Sequence, residues 1–317
     1  MHAQSKRLVV AVVGPTASGK TKLAIELAAA LDGEVIACDS RTVYRHMNIG
    51  TAKPSMQERK GIEHHLLDVV DPDQVYTAAN FKKDAAAVIE DLFTREKLPI
   101  VCGGTGLYSR VLLEGLNIPE VEPDETLRKE LAELVKEKGV EALEEILEKL
   151  DPPSLTRIEK GDVFRLVRAI EVSQKLGPFS QMATMQRPDF DVLWLFLNVH
   201  NREILREAIV KRLLVQEADG VIEETKALSQ RFGLTRALLN SVPYKEYLAY
   251  LDGTMSLEQA REEAVKHNYQ LARRQIMWFR KSPKSLEQKR LTFFIDESTE
   301  AERLSESMRE ILQSTRA

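Results

Sequence analysis

The chain has 317 residues, of which 43% are hydrophobic and 30% are charged. This length accommodates one large domain, or a core domain with a smaller one attached, and the composition is typical of a globular protein. No window approaches the roughly 18 uninterrupted apolar residues of a membrane-spanning helix, so we expect no membrane association. The few residues before Leu8 are too polar for a secretory signal, and we expect a cytoplasmic protein.

Charge is unevenly distributed along the chain. The formal net charge is −4, which gives no global indication of nucleic-acid binding. Between Lys266 and Arg290, however, eight Lys or Arg residues accompany a single acid, Glu287. This segment could present a positive face to phosphates or could be an ordinary solvated helix end. Only Cys38 and Cys102 are present, both beside apolar runs, so we expect buried thiols and no cysteine zinc site.

The first third of the chain alternates short apolar runs with helical patterns. Residues 8–13 form a Val-rich run that ends in a glycine loop, and residues 23–31 carry apolar side chains at helical spacing. Further apolar runs cover 34–38 and 98–102, and a second glycine-rich loop follows the latter. Buried strands that alternate with helices predict an α/β fold with a parallel sheet.

The middle of the chain has a different pattern. Over 119–153, apolar residues recur at spacings of three and four among many Glu and Lys, which predicts amphipathic helices without strands. A buried strand over 192–199 indicates that the sheet then resumes, and a last helical pattern covers 257–280. The predicted domains are a core in two parts, 1–116 and 191–317, and an all-helical insertion domain, 117–190.

A phosphate-loop pattern is matched in full near the N-terminus. The matching residues are Gly14, Pro15, Thr16, Ala17, Ser18, Gly19, Lys20 and Thr21. They lie between a predicted strand and a predicted helix, as the pattern requires. Backbone N–H groups of such a loop surround a phosphate, the helix N-terminus adds positive charge, and Lys20 would neutralise the outer phosphate. The Thr21 hydroxyl could ligate magnesium. The motif predicts a phosphate-bearing ligand without specifying the reaction.

Two further polar residues follow predicted strands. Asp39 comes after the second strand and Thr105 lies in the glycine-rich loop after the third, so both are expected at the same sheet edge as the phosphate loop. Asp39 could accept a proton, help to hold magnesium, or only form a turn. The third strand ends in glycines and lacks the Asp that holds magnesium in typical nucleoside-triphosphate hydrolases.

Beyond these motifs, the chain resembles the tRNA dimethylallyltransferase family, also called isopentenyl-diphosphate:tRNA transferases. The similar segments are specific and extend over most of the length. They are 14–21, 39–45 (DSRTVYR), 49–54 (IGTAKP), 64–68 (HHLLD), 99–108 (PIVCGGTGLY), 157–158 (RI), 162 with 165, 168–172 (RAIEV), 244–246 (YKE), 272–275 (ARRQ) and 278–280 (WFR).

This resemblance implies a P-loop NTPase-like core with a helical insertion domain that binds tRNA. The family transfers the dimethylallyl group of dimethylallyl pyrophosphate to N6 of adenine 37 in the anticodon loop, with Mg²⁺, and releases pyrophosphate. By this analogy Asp39 is the general base, and Thr105 and Arg212 complete the catalytic set. Thr105 and Arg212, with Lys20 and Thr21, would hold or activate the leaving group. Magnesium would complete the charge neutralisation. The residues themselves offer Thr21 as its ligand and Asp39 as a second candidate ligand.

The resemblance also implies a set of tRNA-binding residues. We expect the protein to be a monomer. The set is Asp39, Ser40, Arg41, Thr42, Arg128, Phe164, Arg165, Leu166, Val167, Arg168, Asn240, Ser241, Val242, Pro243, Tyr244, Lys245, Arg273, Arg274, Gln275, Trp278 and Arg280. Its Arg and Lys residues would meet phosphates. Trp278 and Phe279 could stack on a base, or could belong to the core, and helical spacing leaves both interpretations open.

At several positions the chain departs from the family's usual pattern. Pro243 stands where Gly is common, Asn268 and Tyr269 replace a Thr-Arg pair, Met277 replaces a Thr, and Ala208 replaces an Arg. These departures concern the details of tRNA contact more than the chemistry. The nearest alternative function is an adenylate dimethylallyltransferase that acts on a free nucleotide. A P-loop small-molecule kinase and an inactive RNA-binding protein are two further alternatives.

Overall fold

A computed structural model describes residues 7–182, 184–282 and 290–294. The chain divides into two compact units, one made of Met1–Glu114 with Pro188–Ala317 and the other of Gly115–Arg187. The sequence predicts the limits of the second unit at 117 and 190. Residues 283–289, which belong to the predicted basic segment, lie outside the described residues, as do residues 295–317 of the predicted core.

The first unit contains a six-stranded sheet in which all neighbouring strands are parallel. The strands are β1 (Leu8–Val13), β2 (Gly33–Ala37), β3 (His64–His65), β4 (Leu98–Gly103), β5 (Asp191–Asn198) and β6 (Arg290–Phe294). Their order in the sheet is β3-β2-β4-β1-β5-β6. The predicted α/β class with a parallel sheet is thereby confirmed. β3 and β6 were not predicted, since neither forms a long apolar run.

Thirteen helices are present among the described residues. They are α1 (Lys20–Leu31), α2 (Ala78–Thr94), α3 (Gly106–Leu113), α4 (Glu125–Lys138), α5 (Glu141–Leu150), α6 (Pro152–Leu155), α7 (Val163–Leu176), α8 (Phe179–Met182), α9 (Arg202–Ala218), α10 (Val221–Phe232), α11 (Arg236–Leu239), α12 (Tyr244–Leu251) and α13 (Leu257–Arg280). α13 has the predicted bounds, and it begins with a capping box in which Ser256 and Gln259 satisfy each other's backbone N–H groups. None of the described helices is long and apolar enough to cross a membrane.

The main core of the first unit forms where α1 packs on the sheet. The helix contributes Leu23 and Leu27, and the strands contribute Val35, Ile100 and Leu195, all of which are buried. Runs of Val, Ile and Leu suit strands covered on both faces, whereas α1 repeats its apolar residues at helical spacing. This packing holds the start of α1 at the carboxyl edge of the parallel strands, where ligand sites of α/β sheets form.

The second unit consists of α4 to α8 around its own apolar core. Leu131, Leu143, Leu147 and Ile170 are buried in that core, and their spacing along each helix follows the helical repeat. The starts of α4 and α7 are capped by side chains: at α4, Asp124 accepts a hydrogen bond from a first-turn N–H at 3.1 Å, and at α7 Asp162 accepts one from the Arg165 N–H at 3.1 Å. The unit therefore has the packing of a small helical bundle.

Candidate active site

The loop between β1 and α1 has a backbone conformation that depends on its glycines. Gly14 has a φ of 153°, and a Cβ at this position would lie 2.4 Å from the backbone oxygen of Leu197. Gly19 has a φ of 79° and is the N-cap of α1. The Ser18 hydroxyl donates to the Pro15 carbonyl at 2.9 Å, which closes the loop. The first N–H groups of α1 therefore point to the sheet edge, where they can bind an anion.

Two cations converge on this loop. The Lys20 ammonium donates to the carbonyl of Pro15. The Arg212 guanidinium, which α9 supplies, donates to the hydroxyl of Thr16 at 2.8 Å and to the carbonyl of Thr51 at 3.3 Å. Burial lowers the pKa of Lys20 to about 8 and also lowers the pKa of Arg212. Because both cations are poorly solvated, an anion in contact with them would relieve an electrostatic cost.

Asp39 and Thr105 lie close to each other beyond the ends of β2 and β4. One carboxylate oxygen of Asp39 accepts the N–H of Arg41 at 2.8 Å, so the residue forms a turn, as one interpretation predicts. The Thr105 hydroxyl accepts a hydrogen bond from the backbone N–H of Ser40 at 3.0 Å. It also donates a hydrogen bond to the Ser40 hydroxyl at 3.4 Å. Thr105 thus positions the backbone next to Asp39.

A cavity of about 140 Å³ adjoins both loops. Its lining brings together Lys20, Thr21, Asp39 and Arg212, as the sequence predicts for the reacting end of the site. Thr105 is absent from the lining and lies beside it. Cys102 also lines the cavity, and burial raises the pKa of its thiol to about 11, so it stays protonated at neutral pH. Both cysteines are free and buried, as predicted.

Helix α13 contacts both glycine loops through Gln275. Its side-chain oxygen accepts the N–H of Thr16 at 2.7 Å, and its amide nitrogen donates to the carbonyl of Gly104 at 3.1 Å. A Cβ at Gly104 would lie 2.3 Å from that nitrogen, so the glycine is needed for the close approach. The resemblance places Gln275 among the tRNA contacts, whereas here it braces the phosphate loop. No local pattern could reveal a contact between residues 259 positions apart.

The segment that begins at Asn240 is fixed by Glu224, which belongs to no sequence motif. Tyr244 is buried, and its hydroxyl donates to the Glu224 carboxylate at 2.6 Å. The same carboxylate accepts the N–H groups of Asn48 and Gly50 at 3.0 and 3.1 Å. Gly50 lies against the Tyr244 ring, since a Cβ there would come within 2.4 Å of it. Tyr244 is thus a structural residue of the loop that borders the cavity.

Other predicted RNA contacts differ in how accessible they are. Arg273, Arg274 and Arg280 are exposed on α13, and Trp278 is half-buried against Gly106. Phe279 is buried, with its ring centroid 6.1 Å from that of Phe196. Phe279 is therefore a core residue, and the interpretation that it stacks on a base is wrong. The remaining predicted contacts of this unit are half-buried at Ser40, Arg41, Val242 and Lys245, exposed at Asn240, and buried at Thr42, Ser241 and Pro243.

In the second unit a buried carboxylate holds two of the predicted RNA contacts. Arg128 donates to Glu171 through Nε and Nη2 at 3.0 and 3.1 Å, and Arg168 donates at 2.6 Å. Burial raises the pKa of Glu171, but the bonds from Arg128 and from a backbone N–H outweigh it and leave the pKa lowered. Two guanidinium groups thus share one carboxylate, which fixes their positions.

The predicted contacts at the start of α7 are divided between surface and core. Phe164 is 70% exposed, and Arg165 is exposed beside Asp162 at 3.2 Å. Leu166 is 1% exposed and belongs to the apolar core, with Val167 packed against it. The side chain of Leu166 is therefore unavailable to an external RNA, because the helical repeat turns it inward.

Comparison with known proteins places the chain in a family. Residues 42–282 match the family model described as IPP transferase. A tRNA dimethylallyltransferase of Thermomicrobium roseum is 40% identical over 278 residues, which cover 87% of this chain and 84% of the relative.

Two solved structures resemble the fold. The tRNA isopentenylpyrophosphate transferase of Bacillus halodurans has a TM-score of 0.68 at 32% identity, over 98% of this chain and 97% of that one. A eukaryotic dimethylallyltransferase acting on tRNA has a TM-score of 0.74 at 26% identity, over 97% of this chain and 78% of that one. With the family model matching most of the sequence, the chain belongs to the IPP transferase family.

Proposed function

We propose that the chain transfers the dimethylallyl group of dimethylallyl pyrophosphate to N6 of adenine 37 in a tRNA anticodon loop and releases pyrophosphate. The observation that carries this proposal is the cavity in which Lys20 and Arg212 lie beside the phosphate loop together with the carboxylate of Asp39. The relatives named as tRNA dimethylallyltransferases supply the substrates. The fold on which the proposal rests is a P-loop NTPase-like core with a helical insertion domain that binds tRNA.

The cationic side of the cavity suits the leaving group. Breaking the bond between C1 and the pyrophosphate oxygen places negative charge on that oxygen and positive charge on carbon. Lys20, Arg212 and the N–H groups at the start of α1 would stabilise the charge on oxygen. Gln275 and Thr105 are positioning residues here, since they hold the phosphate loop and the segment after Asp39.

The carboxylate of Asp39 suits the nucleophile. The adenine amine forms a bond to C1 as the C1–O bond breaks, and it must then lose a proton. Asp39 keeps one oxygen bound to the N–H of Arg41, which leaves the other to accept that proton. Adenine has to leave its stack to enter a cavity, and unstacked loop bases are the usual targets of RNA-modifying proteins.

Magnesium is the cofactor that we propose for this reaction. Among the described residues, no group of three or more His, Cys, Asp or Glu could hold a metal ion. Magnesium often has only one or two protein ligands and takes the others from water and substrate phosphates. Thr21, which lines the cavity, fits such a site, and the free oxygen of Asp39 is left to accept the amine proton. When bound, magnesium would neutralise part of the pyrophosphate charge.

The test is transfer of radiolabelled dimethylallyl pyrophosphate, with magnesium, to an anticodon stem-loop that contains adenine 37, to free AMP, and to no acceptor. We expect label on the stem-loop alone. Label on AMP would instead identify an adenylate dimethylallyltransferase. Label on neither acceptor would overturn the proposal, and phosphoryl transfer from ATP to small molecules would then be measured for the kinase alternative.

A further inference from the structure

One face of helix α13 forms a wall of the cavity. Three of its residues belong to the lining, namely Asn268, Leu271 and Gln275. They are spaced by three and four positions, so they lie on one face of the helix and direct their side chains into the same space. Gln275 is the residue that contacts the phosphate loop. Asn268 precedes it by about two helical turns, which is about 10 Å along the helix axis.

The side-chain amide of Asn268 has no partner. It makes no hydrogen bond within the part of the chain that the structure describes. The side chain is half-buried, and its amide atoms are not among the enclosed polar atoms, so they remain accessible from the cavity. Gln275 differs in this respect, since both of its amide atoms are bonded to the glycine loops. Asn268 therefore offers a ligand both a hydrogen-bond acceptor and a donor on a rigid helix.

The prenyl donor has no group that suits this amide. Its pyrophosphate would lie beside Lys20 and Arg212 at the phosphate loop, which α13 contacts two turns away from Asn268. Its dimethylallyl group is a hydrocarbon, with neither donors nor acceptors. The acceptor adenine has both, because N6 carries hydrogens and the neighbouring N7 accepts. A carboxamide matches this pair of atoms, with its oxygen accepting from N6 and its nitrogen donating to N7.

We propose that Asn268 is a specificity-determining residue that binds the N6 and N7 atoms of the acceptor adenine. The inference rests on the proposed function and deepens it, because it states how the base is recognised and oriented. Asp39 lines the same cavity from the end of β2. As C1–N6 forms and C1–O breaks, one proton of N6 moves to Asp39. The other proton stays on N6, hydrogen-bonded to the oxygen of Asn268.

The experiment measures transfer of the dimethylallyl group to two anticodon stem-loops, one with adenosine and one with 7-deazaadenosine at position 37. The 7-deaza base keeps the N6 amine but has a C–H in place of N7, so it cannot accept a hydrogen bond there. The readout is the ratio of kcat/KM for adenosine to kcat/KM for 7-deazaadenosine.

The proteins are the wild type, Asn268→Ala, Asn268→Asp and a matched control, Gln270→Ala. Aspartate has the size of asparagine and still accepts from N6, but it cannot donate to N7. Gln270 carries an amide on the same helix, is exposed, and does not line the cavity. The control therefore removes a comparable side chain that the inference gives no role.

We expect a wild-type ratio of about five or more, because the amide nitrogen loses its acceptor in the cavity. In Asn268→Ala and Asn268→Asp the ratio should fall close to one, since neither variant can donate to N7. Asn268→Ala should also lower kcat/KM for adenosine by about 10-fold to 100-fold, as expected for loss of a bidentate pair. Gln270→Ala should keep the wild-type ratio.

Two results would overturn the inference. A wild-type ratio below about five would show that N7 is not recognised, and this criterion needs no variant to fold. A ratio that stays at the wild-type value in Asn268→Asp would assign N7 to another residue. Failure of the proposed function has a different signature. In that case the wild type transfers nothing to the adenosine stem-loop, whereas failure of this inference leaves that transfer intact.

Discussion

At the scale of single residues, the candidate site separates two tasks between oppositely charged groups. Lys20 and Arg212 lie at the phosphate loop, where the leaving group would be bound. Asp39 lies beyond β2 and retains a hydrogen bond to the N–H of Arg41. Substitutions at the two ends should therefore change different kinetic constants, because one end binds the donor and the other accepts a proton.

Asp39→Asn should lower kcat for transfer to the stem-loop by about 100-fold to 10,000-fold, the usual contribution of a general base. The donor KM should change less than about threefold, because the asparagine oxygen can still accept the Arg41 N–H and keep the turn. Steady-state kinetics with saturating stem-loop would measure both constants. A rise in donor KM as large as the fall in kcat would contradict the role of Asp39 as a base.

The lowered pKa of Lys20 predicts a pH dependence of donor binding. In the free protein Lys20 is charged below about pH 8 and neutral above it, because burial favours the neutral amine. A pyrophosphate binds the charged form, so kcat/KM for the donor should be constant below pH 8 and fall up to about tenfold per pH unit above it. In Lys20→Arg the guanidinium stays charged, and the fall near pH 8 should disappear. Identical inflections in both proteins would refute the assignment.

At the scale of elements, helix α13 connects the phosphate loop after β1 to the glycine-rich loop after β4. Its capping box fixes the N-terminal end, Phe279 anchors the C-terminal end in the core, and Gln275 reaches two loops on different strands. These contacts fix the position of the loop after β1 relative to the loop after β4. Loss of this contact should affect donor binding although Gln275 carries no charge.

Gln275→Ala should raise the donor KM about tenfold, because the Thr16 N–H and the Gly104 carbonyl lose partners that hold the loop. Gln270→Ala is the matched control, since Gln270 is exposed on the same helix. Donor KM and the thermal unfolding midpoint would be measured for both variants. If Gln275→Ala changed stem-loop affinity and left the donor KM unaltered, Gln275 would be an RNA contact and not a brace.

The elements differ in how far the sequence predicts them. β1, β2, β4 and β5 follow from continuous apolar runs, and the phosphate loop follows from its glycines and their context. β3 has only two residues, too few for any periodicity. The bonds of Gln275 and Glu224 join distant parts of the chain, and a single sequence carries no pattern for such pairs. The position of Asp39 near the phosphate loop is predictable because the strand ends of a parallel sheet share one edge.

At the scale of the whole molecule, an acidic protein must still attract RNA phosphates. The net charge is −4, so any attraction depends on local groups whose charge is not already neutralised. Arg128 and Arg168 share the buried carboxylate of Glu171, which cancels part of their charge. Arg273 and Arg274 are exposed and make no ion pair with any residue that the structure describes. We therefore expect this part of α13 to contribute most to the salt dependence of RNA binding.

Replacing Arg273 and Arg274 together by Gln should make stem-loop binding weaker and less sensitive to salt. Each lost contact with a single-stranded phosphate lowers the slope of log K against log salt by about 0.7, so the double variant should lose about 1.4. The control replaces Arg261 and Lys266 by Gln. It removes the same charge from the same helix, but both residues are paired, with Glu217 and Glu263 at 2.7 and 2.8 Å. Binding isotherms from 50 to 300 mM salt would give the slopes. Equal slopes in the two double variants would show that net charge, and not this surface, sets RNA affinity.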